Sequence, residues 1–427
     1  MATSGGPNVN RDGLVLFLDT PTNRSFRGEN TENLVPSGQR TCSSNFSRRG
    51  YHVEVWSYAL VTDVFGRANA TKISITPTGN NNQPYADWGF TAHKSGGSQI
   101  GDVYTVSFDY KVTKNTTVPS LAVVYANGYK SPTSANAATF SNETHTPLKD
   151  GWTRFSETAT ITTAGNTWWR FGMSSNNNET EVYVDNFQLE LKSKTTPFVD
   201  GTRGTTVATG GGWQDMSGNN NHGELVNGVT TDSDGTLQHS LDFDGTNDYI
   251  DLGTQFNSLT TFAVEGVFKT DVSSGTDSYQ NIWGAGTINS TADYTGISIG
   301  NFTGGYTDES FHVSINDTTY QAFVRNGAGF YFDGKYHHFV VNIEPGNNTI
   351  YIDGKQQSIT YRYGNINTDT GGLNGITNNN TYIGKRSYTG SAGHFNGKIP
   401  LIRMYDRGLT QQEVLENYKA IKSRYGL

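Results

Sequence analysis

Apolar and polar residues alternate with a period of two, or close to it, in one short stretch after another along this chain. Between about 50 and 192 the stretches are YHVEVW, KISITP, VYTVSFDYKV, SLAVVYA, WTRFSETATIT, WWRFGM and EVYVDNFQLELK. Between 213 and 408 the clearest are HSLDFDGTNDYIDLG, TFAVEGVFK, GISIGNF, SFHVSIN, YQAFVRN, HHFVVNIE, NTIYIDGKQ, NTYIGKR and GKIPLIRMYD. Successive side chains of a strand point to opposite faces, so this alternation predicts strands with one face in a core. The Gly, Asn, Pro and Ser clusters between them are turn formers. Strands at this spacing predict an all-β chain of two antiparallel β-sandwich (jelly-roll) domains. GLVLFLD, at 13–19, reads as one more buried strand. In IYIDGKQQ, Asp-Gly between extended segments predicts a hairpin. TTPFVDGTRGTTVATGGGW, at 195–213, reads as a linker.

Only the C-terminus carries a helical period. Thr410 followed by Glu413 forms a capping box. Val414, Leu415, Tyr418, Ile421 and Tyr425 then fall on one face, which predicts a short helix packed back on the second sandwich.

Composition sharpens this picture. Charged residues are 16%, below the roughly 25% of an ordinary domain. The 12% aromatic content argues against disorder. A net charge of −8 gives no electrostatic reason to expect nucleic-acid binding. The single cysteine, Cys42, excludes an intrachain disulfide. MATSGGPNVNRDG has no basic region followed by an apolar stretch, so no secretory signal is expected, and no apolar run is long enough to span a bilayer. Asn-x-Ser/Thr triplets such as that at Asn115 are then ordinary turns rather than glycosylation sites. The composition looks extracellular while the chain shows no export route. A virion protein, made in the host cytoplasm and working at the particle surface, reconciles the two.

FDGTNDYIDLG (243–253), DGKYHHFVVNIEPGNNTIYIDGK (333–355) and YIGKR…FNGKIPLIRMYDRGLTQQEV (382–414) resemble the laminin-G-like, concanavalin A-like lectin/glucanase superfamily. The resemblance implies a two-sheet antiparallel jelly roll. Its closest version is similar to structural proteins of tailed phages, notably those infecting cyanobacteria. In these a GLVLYLD-like strand leads shortly into a W-x-D-x-SGN-x-N turn. Here GLVLFLD and WQDMSGNNNHGELVNG (213–228) are far apart, which implies a domain inserted between them. The inserted part resembles the carbohydrate-binding jelly rolls of phage tail and fibre proteins, through NLVPSG (33–38), GDVYTVSFDYKV (101–112), LKDGWTRFSETATI (148–161) and VYVDNFQLELKSKTTPFVDGTR (182–203). The expected organisation is an N-terminal arm and first strand over 1–30, the inserted jelly roll over 31–198 and the laminin-G-like sandwich with its helix over 199–427.

Candidate chemistry is sparse. GISIG (296–300) fits the G-x-S-x-G nucleophile pattern, but no helix follows, so Ser298 reads as a strand residue. His337 and His338 should point to opposite faces, one packed under the sheet and the other solvated. No Glu-x-Asp-x-x-Glu run offers the carboxylate pair that glycoside hydrolysis requires, which leaves separate strands as the other source of such a pair. Asp244, Asn247, Asp248 and Asp251, preceded by Asp232 and Asp234, form an oxygen-rich stretch. Calcium is the cofactor it could hold, and the alternative is a set of turns between strands. Trp88, Trp168, Trp169, Trp283, Tyr294 and Tyr306 are the candidate sugar-stacking aromatics, while Trp213 reads as structural.

These readings point to a non-enzymatic virion protein, a capsid decoration, head fibre or tail-fibre component that binds host-surface glycan. A purely structural decoration that binds other virion proteins, and a polysaccharide depolymerase, are the alternatives. By analogy with phage fibres a symmetric homo-oligomer, a trimer, is expected.

Overall fold

The structure is a computed structural model. It describes residues 9–21, 25–26, 31–42, 47–48, 56–76, 85–114, 120–125, 138–148, 150–165, 167–174, 179–233, 239–256, 258–272, 280–287, 294–302, 306–315, 320–324, 330–364, 379–386 and 393–427. The chain is mostly β, with 53% of residues in strands arranged in antiparallel, sandwich-like sheets and one short C-terminal helix. It divides into two compact units, one of residues 1–30 with 204–427 and the other of 31–203.

The elements of the first unit begin with β1 (Leu14–Asp19). Those of the second unit follow: β2 (Thr31–Glu32), β3 (Ser47–Arg48), β4 (Trp56–Val64), β5 (Arg67–Ile75), β6 (Tyr85–Thr91), β7 (Val103–Lys114), β8 (Ser120–Tyr125), β9 (Ala138–Pro147), β10 (Thr153–Ile161), β11 (Thr167–Ser174), β12 (Thr180–Glu190) and β13 (Thr202–Arg203). The first unit then resumes with β14 (Glu224–Val226), β15 (Thr230–Ser233), β16 (His239–Asp244), β17 (Tyr249–Asp251), β18 (Phe262–Thr270), β19 (Gln280–Thr287), β20 (Tyr294–Phe302), β21 (Tyr306–Ile315), β22 (Tyr320–Val324), β23 (His337–Ile343), β24 (Thr349–Ile352), β25 (Lys355–Gln356), β26 (Thr360–Tyr363), β27 (Asn379–Ile383), β28 (Asn396–Tyr405) and the helix α1 (Gln411–Tyr425).

In the unit of 31–203, a six-stranded sheet in the order β4-β5-β12-β7-β10-β9 accompanies a four-stranded sheet β3-β6-β11-β8. Alternate residues of these strands, among them Tyr104, Val106, Phe108, Phe155, Trp169, Val182, Val184 and Leu189, form its apolar core. The stretch read as a linker is bound along part of its length. Gln188 donates to the Thr196 carbonyl at 3.1 Å, Thr196 donates to Glu190, and Arg203 donates to the Pro197 carbonyl at 2.7 Å. Low apolar content misled here, because side-chain hydrogen bonds rather than apolar burial hold this segment.

The other unit is a pair of eight-stranded sheets. The first runs β15-β16-β28-β18-β23-β24-β25, with β1 also paired to β28, and the second runs β14-β17-β27-β19-β20-β21-β22-β26. Their facing residues form one apolar core that includes Leu16, Leu18, Trp213, Val264, Trp283, Ile297, Val313, Phe339 and Ile402. β1 pairs antiparallel with the C-terminal half of β28, from Leu14 against Tyr405 to Asp19 against Leu401. The WQDMSGN turn satisfies backbone groups of β1 that β28 does not reach. Asp215 accepts the Phe17 N–H at 2.8 Å, while Ser217 and Asn221 donate to the Val15 carbonyl at 3.1 and 2.8 Å. A buried backbone donor left unpaired would be costly, so the motif acts as the missing neighbour strand.

The opposite face of the first sheet is covered by α1. Leu14, Ala263, Val267, Val340, Leu401 and Tyr405 pack there against Val414, Ile421 and Tyr425. The Thr410–Glu413 capping box is formed. Leu415, placed on the packed face by its spacing, is instead exposed, and Asn417 takes the inner row. The row 414, 417, 421, 425 follows the helix period more closely than one through 415.

Candidate functional site

A sheet packed on one face leaves the other for ligands, and the second sheet of the larger unit carries its chemistry there. Ile250 and Ile383 are core residues paired across β17 and β27. Their neighbours Tyr249, Asp251 and Tyr382 therefore stand on the outer face. The Tyr249 and Tyr382 rings meet edge to face with centroids 5.5 Å apart. Lys385, just beyond β27, sets its ammonium 3.7 Å from the Tyr249 centroid and 4.3 Å from that of Tyr382. Partial burial pulls the Lys385 pKa below its ordinary value, against the attraction of Asp251. Asn380 donates to the Tyr382 hydroxyl at 2.9 Å. Tyr382 is buried beneath Lys385, so the half-buried Tyr249 ring, the ammonium, the Asn380 amide and the Asp251 carboxylate are the groups on this face that can meet the apolar and hydroxyl sides of a sugar. The sequence reading missed Tyr249, Tyr382 and Lys385. The signal was the repeated Tyr-Ile step in NDYIDLG and YIGKR: once Ile is inward, Tyr must be outward.

Further along the same face the candidate aromatics behave differently. Tyr294 is fully buried and lies flat over glycines: a Cβ on Gly284 would fall 2.9 Å from its ring, and one on Gly296 would collide with its hydroxyl. The Arg386 guanidinium covers the ring at 4.5 Å, and the hydroxyl donates to Asn281 at 2.8 Å. Tyr294 therefore has no face for a sugar. Trp283 is also fully buried, because a register shift between Asn281 and Trp283 turns both Ile282 and Trp283 into the core. Trp169 is a core residue of the smaller unit, with its indole N–H donating to the Ala92 carbonyl at 2.8 Å. These three are corrected from sugar platforms to packing residues. Trp88, Trp168 and Tyr306 lie in β6, β11 and β21, and their side chains fall outside the described residues.

Ser298 sits within β20 opposite His312 of β21, with Oγ 3.2 Å from Nδ1. β20 leads on to β21 rather than to a helix, so the strand–turn–helix geometry of a G-x-S-x-G nucleophile is not formed.

The acidic stretch builds turns. Asp244 accepts the backbone N–H groups of Thr246 at 2.7 Å and Asn247 at 3.2 Å. Burial opposes its charge, but these backbone donors outweigh burial and hold its pKa below the ordinary value. Asp248 accepts from Gly228 at 2.7 Å and from Asp244 at 3.2 Å, and Asp251 accepts from Gly253 at 2.7 Å. Among the described residues no group of three or more His, Cys, Asp or Glu could hold a metal ion. In these turns the carboxylates of Asp244, Asp248 and Asp251 face backbone N–H groups, and Asn247 gives its backbone N–H to Asp244. Asp234 lies outside the described residues.

Both histidines of the adjacent pair are buried, where one was expected in solvent. They do point to opposite faces, but both faces are covered. His337 stacks on Phe330 with centroids 4.6 Å apart, and its nitrogens lie 3.1 Å from Asp353 and 3.3 Å from Asp333. His338 lies under α1, with Nε2 3.0 Å from Glu265. The same carboxylate receives Arg403 at 3.1 Å, Tyr405 at 3.2 Å and Asn417 at 3.0 Å. Glu265 is therefore a fully buried, fully paired structural acid.

Residues 244–415 match the family model described as the concanavalin A-like lectin/glucanases superfamily. No curated protein sequence matches the chain. Among solved structures, the chain is similar to domain 4 of an extracellular arabinanase from Geobacillus stearothermophilus in complex with arabinotriose, with 16% identity over 48% of this chain and 92% of that one and a TM-score of 0.34. It is similar to the CBM40 of the Ruminococcus gnavus IT-sialidase bound to α2,6 sialyllactose, with 13% identity over 39% and 86% and a TM-score of 0.30. A third likeness is to a SAP-like pentraxin of Limulus polyphemus, with 14% identity over 37% and 69% and a TM-score of 0.27. Within the larger unit, residues 244–415 are thus similar to the concanavalin A-like lectin/glucanases superfamily.

Proposed function

We propose that this chain is a non-enzymatic carbohydrate-binding protein that takes host-surface glycan on the outer face of its second eight-stranded sheet. The observation that carries the reading is the half-buried Tyr249 ring, packed on the buried Tyr382 ring 5.5 Å away, with the Lys385 ammonium 3.7 Å from its centroid and Asp251 beside it. Tyrosine rings offer apolar area at low entropic cost, while lysine, asparagine and aspartate answer hydroxyl groups.

The setting we propose is the surface of a tailed-phage particle, on the resemblance carried by GLVLFLD and WQDMSGNNNHG. Other virion proteins would anchor the chain there, and immunogold labelling of intact particles locates it.

The binding test is a glycan array probed with the purified full chain and with Tyr249→Ala. Retention of one or more glycans by the parent, with at least a tenfold loss (~1.4 kcal/mol) in the variant, is expected. Absence of any retained glycan, or binding indifferent to Tyr249→Ala, overturns the site.

A further inference from the structure

One buried acid in the unit of 31–203 has nothing to answer it. Glu157 of β10 is 7% exposed, and its Oε2 has no hydrogen-bond partner. It stands in the row Phe155, Glu157, Ala159, whose other two members belong to the apolar core. Its neighbour across to β7 is Val106, another core residue. A carboxyl group among such neighbours is costly to bury without a partner.

On its other side Glu157 meets a different setting. The register of β9 against β10 shifts between the pairs Ser156–Thr144 and Thr158–Ser141, so β9 holds one extra residue there. Asn142 adopts a φ of 56° within this bulge, and Glu143 comes to lie opposite Glu157. Burial, and then repulsion from Glu143, raise the Glu157 pKa to about 7. Past Ala138, β9 has no buried residue, so this corner of the sheet meets water.

Glu143 is held in place. His145 sets Nε2 2.9 Å from the Glu143 carboxylate and Nδ1 2.9 Å from the Tyr110 hydroxyl. A carboxylate only accepts, so Nε2 carries the proton, and the neutral ring accepts from Tyr110 at Nδ1. The His145 ring also meets that of Phe155 edge to face, with centroids 5.4 Å apart. Tyr110 and His145 thus fix one carboxylate beside a second that is buried and unanswered.

We propose that Glu143 and Glu157 take a primary alkylammonium group between them, at a ligand site of the smaller unit separate from the Tyr249 face. Two adjacent acids call for a cation, and among the described residues neither is paired with a lysine or arginine. Too few donors gather for a metal ion, since among the described residues no group of three or more His, Cys, Asp or Glu could hold one. An ammonium is compact and brings three N–H donors, enough to serve both carboxyl groups, whereas a guanidinium is a broad planar fork. Rotation about the last bond of the Glu157 side chain brings Oε2 round to the Glu143 side.

Ligand-observed saturation-transfer NMR on the full chain at about pH 7.5 tests the inference. The probes are Nα-acetyl-lysine amide and its neutral counterpart, Nα-acetyl-norleucine amide. The lysine probe should bind at least about tenfold more tightly than the norleucine probe, and Glu157→Gln and Glu143→Gln should each weaken it by a similar factor. Tyr249→Ala should leave it unchanged. Failure of the lysine probe to bind, equal binding of the two probes, binding indifferent to Glu157→Gln, or binding lost in Tyr249→Ala overturns the proposal. Circular dichroism of each variant separates loss of the site from loss of fold.

Discussion

Arg403 of β28 donates to Glu265 of β18 at 3.1 Å, and both side chains are wholly shut off from water between the first sheet and α1. Two charges in such a place are tolerable as a pair, and Tyr405, His338 and Asn417 complete the hydrogen bonding of the carboxylate.

Removing one partner should therefore be far worse than removing both. Glu265→Ala is expected to cost about 3–5 kcal/mol, leaving Arg403 buried and unpaired, whereas Glu265→Leu combined with Arg403→Met should recover most of that loss. Urea unfolding of the parent, single and double variants reads the difference directly.

His337 gives the larger unit a pH dependence of known sign. Burial alone would lower its pKa, but Asp353 and Asp333 on its two nitrogens outweigh burial and raise it above 6.5. A raised folded value means the contribution is fully present below the unfolded value and is lost as pH rises through the folded one. The stability advantage of the parent over His337→Phe should be greatest near pH 5.5–6 and should shrink steadily on going to pH 9. Thermal melts of both proteins across that range check it.

Glu157 acts in the other unit. It lies on the core side of β10 between Phe155 and Ala159, and burial, with Glu143 adding repulsion, raises its pKa to about 7. Its stabilising protonated form is complete below the ordinary 4.5 and is lost as pH rises through about 7. Glu157→Gln should be neutral at pH 4.5 and stabilising by about 1–2 kcal/mol at pH 8. Differential scanning calorimetry at the two pH values tests this, and equal shifts at both would contradict it.

Asp215 takes the place of a strand. It accepts from Phe17, Ser217 and Asn221 backbone N–H groups at 2.8, 2.8 and 3.0 Å, and so joins β1 to the turn after Trp213. Asp215→Ala leaves these donors without their acceptor and should cost about 2–4 kcal/mol. Hydrogen exchange should then show the Phe17 amide losing protection before the amides of β18 do.

The all-β, two-sandwich class and the capped C-terminal helix were legible in the chain itself. Alternation of period two and the Thr410–Glu413 spacing are local properties, and local backbone geometry follows from them wherever a core forms. Which aromatic rings meet water was not legible. Trp283 turned inward because of a one-residue register shift, Tyr294 because glycines on two strands made a bed for it, and His338 because a distant helix covered the second face of its sheet. Tyr249, Tyr382 and Lys385 became a cluster only when β17 was laid beside β27. Burial and convergence depend on strand order, register and what covers each face. Those are settled by packing between segments far apart in the chain, so the sequence determined the strands while the tertiary structure decided which side chains could serve as a site.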